Sequence, residues 1–184
     1  MTGTWTGRST SWRAAAVTAV VATLVAVAAG TAAQPAHGAL LACEGAESAT
    51  YSPPLTNTPT PTRLTVATDY STCVNALNLL ERRTGTVSFN GNPVASCGDL
   101  LANGSGRRVV SWSTGGSSTF EYTYLSNTLP DGTLQVLQTG RIVAGEFSGS
   151  IAAGVVLLPG LQLGVCNGAG IDATDGVVTL RIVL

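Results

Sequence analysis

The chain has 184 residues, 45% of them apolar and only 10% charged, with a formal net charge of −1. That length is one domain, and a charge this near zero supplies no field for nucleic acid or an anionic surface. A charged fraction well below the ~25% usual for soluble domains, beside so much apolar content, excludes a solvated disordered chain.

Arg8 and Arg13 are the only charges in the first 40 residues, and the run Ala14–Ala29 that follows is apolar except for Thr18 and Thr23. A basic start, a short apolar stretch and small residues after it read as a secretory leader, residues 1–38, cut between Gly38 and Ala39. A cut after Ala33 is the alternative. An uncleaved anchor is disfavoured because a spanning helix needs about 20 apolar residues. Export leaves 146 residues (184 less 38), the single domain 39–184, with seven Arg against ten Asp plus Glu. His37, Met1, Trp5 and Trp12 go with the leader, so the exported part has no His, Met or Lys, and Trp112 is its one tryptophan.

The rest is dominated by short runs of Val, Thr, Ile and aromatics between Gly, Asn, Asp and Pro, which read as strands. They fall at 47–52, 63–70, 84–90, 107–114, 118–126, 133–143, 146–158, 160–166 and 176–184. The Pro/Thr-rich stretch Pro53–Thr62 turns the first two strands into a hairpin. Val74–Arg83 reads as a short helix stopped by Thr84-Gly85. Near Thr114–Ser118 a three-residue loop sets Trp112 opposite Phe120 and Val110 opposite Tyr122, gathering the aromatics on one inner face. At Ala144-Gly145 a two-residue loop pairs Ile142 with Phe147, Gly140 with Gly149, Val136 with Ala153 and Leu134 with Val155. In the last strand Val178, Leu180, Ile182 and Leu184 point inward, and Thr179 and Arg181 outward. Nine short strands predict an all-β fold, an antiparallel β-sandwich or flattened barrel.

Cys43, Cys73, Cys97 and Cys166 all lie in the exported part, an even number without a C-x-x-C spacing, and they predict two disulfides. Cys43 and Cys73 are equidistant from the centre of the 47–70 hairpin, so antiparallel pairing brings them face to face; Cys97–Cys166 follows by elimination. Leu40-Leu41-Ala42-Cys43 also resembles a lipoprotein box, but acylating Cys43 would leave three cysteines, an odd number.

Without His or Lys there is no Ser–His–Asp triad, Schiff-base lysine or imidazole metal ligand, and no catalytic residue, metal or cofactor is expected. Carboxylate chemistry is what remains. Glu121 and Glu146 are the glycosidase candidates, although alternation turns Glu121 to solvent and Glu146 sits beside a turn. Gly168–Gly176 has two aspartates but not the ligand number of a calcium loop. Trp112, Tyr122 and Tyr124 are the candidate ligand surface.

Leu41–Gly45 with Tyr51-Ser52-Pro53, Ser111-Trp112-Ser113, Gln138–Ile142 with Gly145–Gly149, and Leu158–Leu161 resemble a family of small secreted actinobacterial proteins of the Streptomyces type. The resemblance implies source and export, and no catalytic residue. Subtilisin-inhibitor and neocarzinostatin-type proteins fit poorly, because their cysteines are closely spaced. The expectation is a secreted, non-catalytic module acting on an extracellular protein, glycan or cell-wall component, with no nucleic acid and no membrane span. A carboxylate-dependent glycan hydrolase and a secreted inhibitor or small-molecule carrier are the alternatives.

Overall fold

The computed structural model describes residues 40–76 and 78–183; the predicted leader and the inward place of Leu184 lie outside them. Among the described residues ten strands form: β1 (Leu41–Leu55), β2 (Thr60–Pro61), β3 (Arg63–Asn75), β4 (Asn78–Gly91), β5 (Val94–Ala95), β6 (Gly104–Trp112), β7 (Ser117–Thr128), β8 (Leu134–Gly145), β9 (Ile151–Leu158) and β10 (Ile171–Val183). Eight of them close into a barrel in the order β1-β10-β9-β8-β7-β6-β4-β3, while β2 and β5 pair separately. Each barrel strand thus lies beside its nearest barrel neighbour in the chain, an up-and-down meander closed on itself. The all-β expectation holds, and of the two architectures the sheet takes the barrel.

Closure is thinnest between β4 and β6, where only Gly85 faces Trp112 and Thr86 faces Ser111. A backbone bond from Ser113 N to Thr84 O extends that contact by one step.

Alternation puts one face of every strand inside. At one end the interior is apolar, with Leu41, Val110, Trp112, Phe120, Ile142, Leu180 and Ile182 all buried. Cys43 sits opposite Cys73 in the β1–β3 ladder and is bonded to it, so its sulfur is not free for acylation. Cys97 is joined to Cys166. Those two cysteines lie in short 3-10 turns, Cys97–Leu101 and Leu163–Asn167, which form a cover over the other end of the barrel. Beneath it Leu55, Cys97, Cys166 and Ile171 make a second, smaller core. Val178, Leu180 and Ile182 are buried and Arg181 is exposed, as alternation requires.

Four local expectations are overturned. Residues 74–75 and 78–83 lie in paired antiparallel strands, with Asn75 facing Asn78. Cys73 is fixed opposite Cys43 and Arg83 is drawn inside, so helical spacing would break both placements. Residues 160–166 are not a strand. Gly160 takes a left-handed φ of 70°, and Leu161 and Leu163 turn into the small core beneath the cover.

The β6–β7 loop does have three residues and a left-handed glycine, Gly115 at φ 94°, but it lies two residues earlier than the composition suggested. Val110 therefore faces Ser118, and Tyr122 faces Gly106. A shift of four in register keeps the inner face aromatic and changes only the partners. The β8–β9 register is off by an odd number, which turns β9 over: Gly140 faces Ala152, Val136 faces Val156 and Leu134 faces Leu158. Here the loop is longer because Phe147, at φ 62°, folds its ring edge-on to Trp112 at 6.0 Å. That contact closes the apolar end of the barrel, and a two-residue loop could not supply it.

Candidate functional site

Between the apolar end and the cover, polar side chains stand at inward positions. Glu47 of β1 accepts hydrogen bonds at one carboxylate oxygen from Thr68 Oγ1 (2.8 Å) and Arg108 Nη1 (3.0 Å). The guanidinium of Arg108 also lies 3.4 Å from the Tyr122 hydroxyl, with its carbon 5.2 Å from the ring centre. Both charged side chains are nearly enclosed, at 11% exposed for Arg108 and 14% for Glu47. Burial works most strongly against the arginine's charge, but the Glu47 carboxylate and the Tyr122 and Tyr70 hydroxyls together outweigh it and hold the Arg108 pKa above its ordinary value. Tyr70, buried against this belt, has its phenol pKa pushed up chiefly by burial. The belt is a floor of compensated charge.

Above the floor and beneath the cover lies a cavity of about 180 Å³. It is a little larger than the ~150 Å³ apolar void known to hold benzene. Leu64, Val66, Leu100, Val156 and Leu158 supply apolar wall, and Glu47, Tyr51, Asp99, Tyr124, Gln138 and Thr174 the polar groups. Tyr51 is hydrogen-bonded to Thr174, and burial raises its pKa. Asp99, at the rim, is held by the Ser96 backbone N–H (2.7 Å) and hydroxyl (2.8 Å). The space exists partly because β6 carries glycine here: a Cβ on Gly104 would sit 2.7 Å from the Tyr124 hydroxyl.

Gln138 is the unusual group. It is 4% exposed and lines the cavity, yet among the described residues nothing hydrogen-bonds its amide. The Gly154 position opposite it leaves room, since a Cβ there would lie 2.9 Å from the Gln138 amide oxygen. Among the described residues no fully buried side-chain nitrogen or oxygen lacks a hydrogen-bond partner, so the Gln138 amide opens onto the cavity, where it is free to meet a partner. The Tyr124 hydroxyl likewise has no hydrogen-bond partner among the described residues.

The three aromatics expected to form a ligand surface are divided. Trp112 is buried at the apolar end, its Nε1–H donating to Ser118 Oγ at 2.9 Å. Tyr122 belongs to the floor, and only Tyr124 reaches the cavity. Glu121 and Glu146 do not share a cleft: Glu121 pairs on the outer wall with Arg107 at 3.2 Å. Glu146 binds Arg83 Nη1 at 2.6 Å, and that guanidinium also pairs with Glu81 and lies over Trp112 and Phe147. All four cysteines are in the predicted pairs. Glu47, Arg108 and Gln138 were the residues missed. Their signal was present: each shares parity with inward residues of its strand (Cys43, Val110 and Trp112, Val136 and Ile142), so each is a polar group on an apolar face.

Among the described residues no helix is long and apolar enough to cross a membrane. Searches against family models, curated proteins and solved structures find no match for this chain.

Proposed function

We propose that this chain is an exported, non-catalytic β-barrel protein that holds a small molecule in the cavity beneath its cover. Gln138 carries the reading: an amide with no protein partner that opens onto a cavity walled by both apolar and polar groups suits a binding site. The two disulfides suit an oxidising compartment, and the leader-like start, with the actinobacterial motifs, fits export from such a source. Charge in the floor is neutralised internally, which supports binding without chemistry.

The test is a fragment screen by NMR on the secreted protein, using neutral, cationic and anionic molecules of roughly ten non-hydrogen atoms or fewer, set by the cavity volume. Binding should shift resonances of cavity residues and vanish in Val156→Phe, which fills the space. If no fragment binds, or if Val156→Phe binds as well as the parent, the reading fails. Intact mass of the secreted form should begin at Ala39.

A second reading, action through the outer surface, is favoured by a broad groove of about 730 Å³ across β6–β8, which includes Arg107, Glu121 and Arg141. Retention on an acidic polysaccharide that is lost in Arg141→Gln, and kept in the exposed control Arg181→Gln, would support it. No retention would remove it.

A further inference from the structure

Resting on the cavity reading, we infer that the ligand is a neutral molecule presenting a hydrogen-bond donor beside an acceptor, as the edge of a lactam or cyclic amide does, on a compact apolar body. The groups around the cavity narrow its chemistry by elimination. Glu47 is matched by Arg108 across 3.0 Å, so that carboxylate asks for no cation. Asp99 is satisfied by two bonds from Ser96 and stands exposed at the rim, where water screens it. Thr174 and Tyr51 bond each other. No guanidinium lines the cavity, which leaves nothing to hold an anion.

Two cavity groups remain without a protein partner, the Gln138 amide and the Tyr124 hydroxyl, and both are neutral. A primary amide offers one acceptor and two donors in a plane. Whichever way it is turned, it matches an edge carrying one donor and one acceptor side by side, as glutamine does on adenine. Val156 and Leu158, both buried and on the cavity wall, offer the hydrocarbon surface for the rest of the molecule. A site built to pair such an edge rejects molecules lacking it far more strongly than a hydrophobic slot rejects a change of size.

The experiment is titration calorimetry on the secreted protein with size-matched probes: valerolactam and pyridone for the neutral paired edge, piperidinium and benzoate for charge, and toluene for shape alone. The lactam and pyridone should bind tightest, and Gln138→Leu should weaken them tenfold or more while leaving toluene within about twofold. Tyr124→Phe, which keeps the ring, should weaken the lactam by a smaller factor and serves as the readout if Gln138→Leu does not fold. Binding of charged or apolar probes without the lactams would overturn this inference and leave the cavity reading intact. Equal lactam affinity in the parent and Gln138→Leu would do the same. Silence from every probe would remove both.

Discussion

Replacing Arg108 by Met tests the polar floor most directly. The substitution keeps much of the stem's packing and removes the guanidinium, leaving Glu47 with Thr68 alone in a setting only 14% exposed. Breaking a buried pair from one side costs about 3–5 kcal/mol, because the remaining charge stays desolvated. For a domain of this size that is a fall in Tm on the order of 10–20 °C. Adding Glu47→Gln should recover most of it, since a neutral pair of similar volume is often as stable as the ions. The cycle's coupling is therefore expected at roughly 2–4 kcal/mol.

Urea melts of the four proteins measure that coupling. A single-variant loss under about 1 kcal/mol, additive with Glu47→Gln, would refute the claim that this pair is buried and coupled.

Ser118→Ala should cost about 1–3 kcal/mol, because the Trp112 indole N–H and the Glu146 carbonyl both lose a buried partner; Trp112 fluorescence during urea unfolding reads it. Gly140→Ala should yield no folded protein, since its Cβ would lie 1.9 Å from the Glu121 backbone oxygen. Gly106→Ala, which meets only the movable Tyr122 ring at 2.7 Å, should fold with a loss of about 1–3 kcal/mol; circular dichroism separates the two. Tyr51 and Tyr70 have pKa values raised chiefly by burial, so their contribution is complete below the unfolded value near 10 and is lost as pH climbs through their folded values. Tyrosinate absorbance should show them ionising together with unfolding, and ionisation in the native state would contradict their burial.

Much of this architecture is legible in residue order because strand alternation is a short-range signal. Eight of the nine predicted strands have counterparts among the barrel strands, and the Cys43–Cys73 pair follows from hairpin symmetry alone. What alternation cannot supply is the loop that sets each register. The β8–β9 turn depends on Phe147 reaching Trp112, a contact between residues 35 apart in sequence, and local spacing around Ala144-Gly145 pointed to a tighter turn and the wrong face of β9. Val74–Arg83 has good helix formers, yet a disulfide at one end and a buried arginine near the other override propensity. The cavity was only partly legible. Tyr124 was chosen for being aromatic, whereas Gln138 and Arg108 were visible only as polar exceptions at inward parity, and the 3-10 cover, which lacks a period of its own, left no signal except its cysteines.

The slender junction of β4 with β6 has a dynamic meaning. A hoop of eight staves is as durable as its weakest joint, and here one joint is two rungs wide while its neighbours run to seven or more. Sub-global opening follows the path that breaks the fewest bonds. Deuterium should therefore enter first at the amides flanking Gly85 and Ser111, long before the β1–β10 and β7–β8 ladders exchange.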